Sequence, residues 1–508
     1  MPFNLFKFYV FIFLIFYRIY SFNHRNLSTH RFCSNLYQFL RQNQRNLHSI
    51  RGTQSYLPPE QRIQKWLQNK WELTSKNFGF QEYSMPVLTH TSLFLDINTP
   101  KDNEHYKELY SFKDRKGRNL SLRGDITPQF MNMLTSYYSN KRVPSHNILK
   151  WYTIADCWRY ERPGLGRRRN HLQWNADIVG ISDIQVEVEL ISMLIHFLKS
   201  VGLSHEDVVI SLNHRNVIPG ILTLLGFSNY SSDWFYQFSK TLDKYKKIPK
   251  EEFNKLLIEL KFTPEQCSGL EEILETSRTL EEIQRIFNPE DIQELKQLVH
   301  LLTEKGYSNW INIDLTIVRG NDYYTGLVFE CFDRNRKLSR SIAGGGRYDN
   351  YFNHCDPRLK YSAGFAMGNI AILDLLKHKG VNINSEEPVD VVVFTPNYTR
   401  NNCEQKVETD TDQTLPCSKS QRMCLYNLMD LLRTNDISVY QYYKTSRLMK
   451  ALKFADNSMA KFVVMPLLHN GNEVIVLRDM NTGEQDFFNP SDDKLGAKIV
   501  EKLRNQNI

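Results

Sequence analysis

The sequence predicts an α+β protein, with an antiparallel sheet interrupted by a helical block and a smaller α/β domain behind it. Three observations carry this. Short β-like runs are punctuated by long helical stretches up to about residue 380. Pro219 to Glu304 is charged and Gly-poor, with Leu and Ile at three- and four-residue spacing. After Glu386-Glu387-Pro388 a fresh alternation of strand and helix begins. A length of 508 residues exceeds one ordinary domain, and 41% apolar residues are ample for more than one core.

Taken in order, Ile63, Trp66, Leu67, Trp71 and Leu73 recur at helical spacing and predict an amphipathic helix from Gln61 to Asn77. β-like runs follow at Tyr83–Leu88, Tyr110–Phe112 and Leu120–Leu122, with Asp114-Arg115-Lys116-Gly117 as the hairpin turn between the last two. A helix is expected near Pro128–Tyr138, strands near Leu149–Arg162 and Leu172–Val179, and a helix near Val186–Val201. After the helical block, strands resume at Trp310–Val318 and Leu327–Phe332. In the last domain Val389–Phe394 reads as a buried strand and Met423–Arg433 as a helix. Ile437–Tyr442 is extended, Arg447–Ala455 helical, and Phe462–Pro466 and Glu473–Arg478 extended, which suggests a mixed sheet. The polar segment from Tyr398 to Ser420 reads as a surface loop.

The start of the chain is different in kind. Phe8–Tyr17 (FYVFIFLIFY) is an apolar run behind Lys7, too short to span a bilayer as a helix but matched to the core of a signal peptide. No Asp or Glu occurs before Glu60, while Arg25, Arg31, Arg41, Arg45 and Arg51 do, a composition typical of organelle transit peptides. Two such signals in series resemble the bipartite leader of a complex plastid (apicoplast); a mitochondrial presequence or a membrane anchor are the alternatives. The net charge of +8 suits a polyanionic partner without demanding one. The eight cysteines form no CxxC pair and no zinc spacing, so they read as isolated reduced thiols without a metal.

Two strings carry chemistry. In Trp158-Arg159-Tyr160-Glu161-Arg162-Pro163-Gly164-Leu165-Gly166-Arg167-Arg168-Arg169, running to Gln173, a strand end and a Gly/Pro loop pack several guanidiniums, whose forked donors suit the oxygens of a polyphosphate. A solvated turn or a non-specific RNA contact would use the same residues. The string resembles motif 2 of class II aminoacyl-tRNA synthetases, in the form found in histidyl-tRNA synthetases. Gly79–Leu88 resembles motif 1, with Pro86 as its interface proline, and Leu122-Arg123-Gly124-Asp125-Ile126-Thr127-Pro128 is similar to the family's amino-acid-pocket segment. The second string, Val318-Arg319-Gly320-Asn321-Asp322-Tyr323-Tyr324-Thr325-Gly326, resembles a signature found almost only in histidyl enzymes. Ala343-Gly344-Gly345-Gly346-Arg347-Tyr348-Asp349 resembles the family's glycine-rich turn.

The resemblance implies a leader over residues 1–50 and a class II catalytic core over 51–380 with its helical insertion at about 206–305. An anticodon-binding domain follows over 386–508. It implies ATP-dependent ligation of L-histidine to tRNA(His), with Mg2+ accompanying the pyrophosphate, by a homodimer without stable membrane association once the leader is removed. Arg159 and Arg319 are the implied catalytic cations. Asp125, Thr127, Gln173, Asp177, Tyr323 and Tyr324 would join those two arginines in holding histidine; Glu161, Arg167 and Arg169 would join them in holding ATP. The insertion is given no catalytic role. Two departures stand out. Asp177 occupies a position where many members carry Glu. In Gly364–Leu373, which aligns with motif 3, Ala371 replaces the arginine that covers the ATP γ-phosphate, a loss shared by plastid-type members. A non-catalytic synthetase-like paralogue, such as a regulatory subunit of histidine biosynthesis or an RNA-binding accessory protein, is the alternative.

Overall fold

The computed structural model describes residues 50–94, 107–139, 148–276, 279–318, 323–338, 340–349, 351, 359–381, 383, 389–394, 417–442, 448–492 and 494–506. The leader, most of the polar loop from Tyr398 and the Arg319–Asp322 segment lie outside them. The chain divides into two units, residues 1–384 and 385–508.

Helix α1 (Pro58–Asn77) starts on two prolines, whose missing N–H groups cost nothing in a first helical turn. It ends where Gly79 adopts φ +76°. Its apolar stripe buries Leu67 and Trp71 completely; Trp71 stacks on Trp174 at 5.9 Å between ring centroids. The strands of the first unit are β1 (Gln81–Glu82), β2 (Leu88–His90), β3 (Tyr110–Lys113), β4 (Asn119–Leu122), β5 (Leu149–Trp158), β6 (Asn170–Val179), β7 (Val208–His214), β8 (Ile311–Ile313), β9 (Leu327–Asp333), β10 (Ala343–Arg347) and β11 (Ser362–Gly368). Eight of them form a sheet in the order β1-β5-β6-β11-β10-β9-β7-β8; β2-β4-β3 make a separate three-stranded sheet. From β5 to β7 every neighbour is antiparallel, as the alternation of short strands predicts. Only the outer pairs β1–β5 and β7–β8 are parallel.

Strand alternation gives the sheet two unlike faces. Helix α2 (Thr127–Ser139) follows β4, and on β6 the even residues Trp174, Ala176 and Ile178 enter a large core with α1 and α3 (Gln185–Ser200). The odd residues Gln173, Asn175 and Asp177 look the other way. The helical block is present as α4 (Val217–Leu224), α5 (Ser232–Leu242), α6 (Lys250–Glu259), α7 (Pro264–Thr276), α8 (Leu280–Ile286) and α9 (Pro289–Glu304). Three expectations shift. Val208–His214, at the nominal edge of that block, is a wholly buried strand. The glycine-rich run at Ala343 is strand rather than turn. A Cβ on Gly345 would stand 2.2 Å from the Gly364 carbonyl oxygen, so the missing side chain is what lets β10 and β11 approach. The stretch from Trp310 to Val318 keeps only β8, because Asp314 Oδ1 accepts hydrogen bonds from Thr316 N (3.2 Å) and Oγ1 (2.6 Å) two residues on and turns the chain.

Helix α10 (Asn369–His378) follows β11 directly. The second unit contains β12 (Val391–Phe394), α11 (Lys419–Thr434), β13 (Val439–Tyr442), α12 (Leu448–Asn457), β14 (Phe462–His469), β15 (Asn472–Asp479), β16 (Gln485–Phe488) and α13 (Lys494–Gln506). Its sheet, β13-β12-β14-β15-β16, is parallel over the first three strands and antiparallel over the rest, the mixed sheet expected.

Candidate active site

The polar face of the large sheet floors a cavity of about 530 Å³. Asp125, Thr127, Arg159, Glu161, Arg167, Gln173, Asp177, Tyr323 and Tyr324 all line it, although they come from four separate stretches of sequence. Arg169 does not. Its guanidinium lies 4.3 Å from the Tyr160 ring centroid, and its Nε donates to the Glu161 carbonyl at 3.2 Å. Arg319 falls outside the described residues.

One end of the cavity is a hydrogen-bonding pocket. Gln173 Nε2 donates to Asn175 Oδ1 at 2.8 Å and to Asp125 Oδ1 at 3.3 Å. The Tyr323 hydroxyl lies 3.5 Å from both Asp125 Oδ2, to which it can donate, and Thr127 Oγ1. Tyr348 donates to Asp177 Oδ1 at 2.6 Å, while Asp177 Oδ2, also buried, has no partner among the described residues. Burial pushes the Asp177 carboxyl up to about 7; the Tyr348 hydrogen bond pulls against it, and the charge of Asp125 adds to it. Asp177 fits there because Gly364 lies beside it on β11: a Cβ at 364 would stand 2.0 Å from Asp177 Oδ1. The Tyr323, Tyr324 and Tyr348 rings close the wall, with centroids 4.7 Å apart for the first two.

The other end is cationic. Arg159 Nε donates to the Gly124 carbonyl at 2.8 Å, which ties the end of β5 to the segment carrying Asp125. Arg159 Nη1 is 3.9 Å from Glu161 Oε1, and Arg167 Nε pairs with Glu161 Oε2. The loop 163–168 is held in turn by the Gly166 N–H, which donates to Asp374 Oδ2 of α10 at 3.0 Å. Buried Arg123 reaches the carbonyls of Asp156 (2.6 Å) and Met85 (3.2 Å), and Gln129 Nε2 donates to the Pro86 carbonyl at 3.0 Å, so the motif 1 segment is fastened to the site.

Sequence reasoning missed several lining residues. His171 and Asn175 share the face of Gln173 and Asp177, and the two-residue period of β6 was the signal that could have found them. His171 is drawn down to about 4, by burial first and then by Arg159, and so is neutral. Lys246 and Lys247, just past α5, reach the cavity from the block that was given no role. Arg168, Glu330, Arg340 and Tyr348 also line it, and no motif or period singles out Arg340.

The polar pocket beside a guanidinium cluster, on an antiparallel sheet, is the arrangement of a class II aminoacyl-tRNA synthetase. The fold is shared with the solved histidyl-tRNA synthetase from Nostoc sp. PCC 7120, at a TM-score of 0.65 and 18% identity, covering 90% of this chain and 99% of that one. The family model for histidyl-tRNA synthetase matches residues 52–372. The chloroplastic/mitochondrial histidine–tRNA ligase of Arabidopsis thaliana is 36% identical over 347 residues, 68% of each chain. The histidine–tRNA ligase of Pyrococcus horikoshii is 29% identical over 465 residues, 90% of this chain and 98% of that one. This chain belongs to the histidyl-tRNA synthetase family.

Proposed function

We propose that the chain joins L-histidine to tRNA(His) in two steps, first forming histidyl-adenylate from histidine and ATP. The observation that carries this is one cavity with two chemically opposite ends. Asp125 and Asp177 suit the ammonium and imidazole of histidine, and the guanidinium cluster suits a polyphosphate. In the first step a histidine carboxylate oxygen attacks the α-phosphorus and pyrophosphate leaves. In the second, the terminal ribose hydroxyl of the tRNA takes the acyl group and AMP leaves. Neither step needs a protein nucleophile; positioning and charge stabilisation suffice.

Asp125 and Thr127 receive the α-ammonium, and Gln173, Asp177, Tyr323 and Tyr324 the ring. Arg159 stands on one side of the α-phosphate, with Arg319 assigned to the other. Glu161, held between Arg159 and Arg167, faces the adenine, and Arg167 faces the outer phosphates. Arg169, stacked on Tyr160, is assigned to holding the loop. Among the described residues no group of three or more His, Cys, Asp or Glu side chains is placed to hold a metal ion, so Mg2+ would come with the phosphates. The C-terminal unit, residues 385–508, is assigned to the anticodon, and the enzyme to a homodimer working in an organelle, with a complex plastid as the specific compartment. Retention of Arg159 and Glu161, with Asp125, Thr127, Gln173, Asp177, Tyr323 and Tyr324 around the same cavity, supports a working enzyme over a regulatory paralogue.

The test is ATP–pyrophosphate exchange by the full chain with each amino acid in turn. Exchange should depend on histidine, and Arg319→Ala should slow it by at least ~100-fold, as for loss of one charge-stabilising donor. ATP binding without exchange for any amino acid would favour the paralogue. Near-normal exchange in the variant would move the active site elsewhere.

A further inference from the structure

More cationic than acidic side chains line the cavity. Arg159, Arg167, Arg168, Lys246, Lys247 and Arg340 line it, against Asp125, Glu161, Asp177 and Glu330. Arg159 and Arg167 share Glu161, Lys246 Nζ reaches Asp314 at 2.6 Å, and Lys247 Nζ reaches Asp243 at 2.6 Å. Arg168 and Arg340 form no ion pair among the described residues.

Of these two, Arg340 is the more informative. It precedes β10 by three residues, and the first residue of β10, Ala343, lies opposite Met367, next to the Gly368 at which β11 gives way to α10. Arg340 therefore arrives at the end of the sheet where Gly368, Ile370 and Ala371 also line the cavity. Gly166 packs against that same place: a Cβ on it would lie 3.9 Å from the Ala371 Cβ. Although Arg340 is exposed, partial desolvation at the cavity rim draws its guanidinium below its ordinary value; Glu108 opposes this and the positive charge of Arg159 adds to it. Arg340 is exposed at the rim of the same cavity that Arg159 lines and has no ion pair among the described residues, so an anion in the cavity can take donors from both guanidiniums. Arg159 is the cation assigned to the α-phosphate, so its neighbour suits the next phosphates of the same chain.

We propose that Arg340 is a nucleotide-binding residue whose guanidinium takes the terminal phosphates of ATP, so that the site distinguishes the triphosphate from the monophosphate. This rests on the adenylate-forming reading above, but its test does not need turnover. Binding of Mg-ATP and of AMP to the full chain would be measured by titration calorimetry for the wild type, Arg340→Ala and Arg340→Lys. Arg340→Ala should weaken ATP about tenfold or more, the size of a charge-assisted hydrogen bond, and leave AMP within about twofold. Arg340→Lys should fall between, since it keeps the charge and loses the fork. Unchanged ATP affinity in Arg340→Ala would overturn the proposal, and so would an equal loss for ATP and AMP, which marks a structural role. Weakened tRNA binding with ATP affinity intact would reassign Arg340 to the RNA. A wild type that binds ATP but exchanges no amino acid would sink the adenylate reading alone.

Discussion

Asp177 shows how one residue can be poor for the fold and suited to the site. It is 2% exposed, accepts a hydrogen bond through Oδ1, and leaves Oδ2 without a partner among the described residues. A carboxyl raised from 3.8 to about 7 means that the folded chain keeps this proton more tightly than the unfolded chain does. Its contribution to stability is therefore complete below about pH 4, declines as pH rises towards 7, and stays low above that. Asp177→Asn, which keeps an oxygen for the Tyr348 hydroxyl and cannot ionise, should match the wild type at pH 4 and exceed it at pH 8. The excess is on the order of 4 kcal/mol at one pKa unit per 1.36 kcal/mol. The same variant should lose histidine-dependent exchange, because the anion that suits a cationic ligand is gone. Melting curves between pH 4 and 8 would decide this; a variant no more stable than the wild type at pH 8 would show that Asp177 is ionised at little cost.

At the scale of elements, what the sequence disclosed tracks how local the signal is. Helix α3 and strand β6 were visible because their apolar residues keep a fixed period over many positions. Strand β10 was not, because Ala343-Gly344-Gly345-Gly346-Arg347 has no strand propensity and is extended only through close packing on β9 and β11. The site divides the same way. Gln173 and Asp177 sit in a recognisable string, whereas Lys246 and Arg340 enter from distant loops that tertiary folding alone brings to the cavity. The motif 1 region raises a further point. Arg123 and Gln129 hold its backbone, yet Leu88 of β2 and Phe112 of β3 are 40% and 49% exposed on the same small sheet. A fastened segment with outward apolar side chains suits the proposed two-fold interface. Light scattering at micromolar concentration should give a dimer, and Leu88→Glu with Phe112→Glu should shift it towards monomer with reduced exchange. A wild-type monomer with full activity would rule the interface out.

For the whole molecule the open matter is the compartment. The family match begins at residue 52, and the 51 residues before it contain no acidic side chain. Their order carries the argument. Phe8–Tyr17 comes first, and a secretory pathway needs its apolar core at the N-terminus. Cleavage behind that core would leave a stretch with Arg25, Arg31, Arg41 and Arg45 at the new terminus, the composition a second import machine reads. A mitochondrial presequence would instead be an amphipathic basic helix without a ten-residue apolar block. Residues 1–60 fused to a fluorescent reporter should therefore reach a plastid, and deletion of Phe8–Tyr17 should leave the reporter cytosolic or mitochondrial. The two fusions separate the readings because removal of the apolar run abolishes only the first of two successive steps. Reporter found only in mitochondria with the complete leader would end the plastid assignment, and it would leave the family and the active-site chemistry untouched.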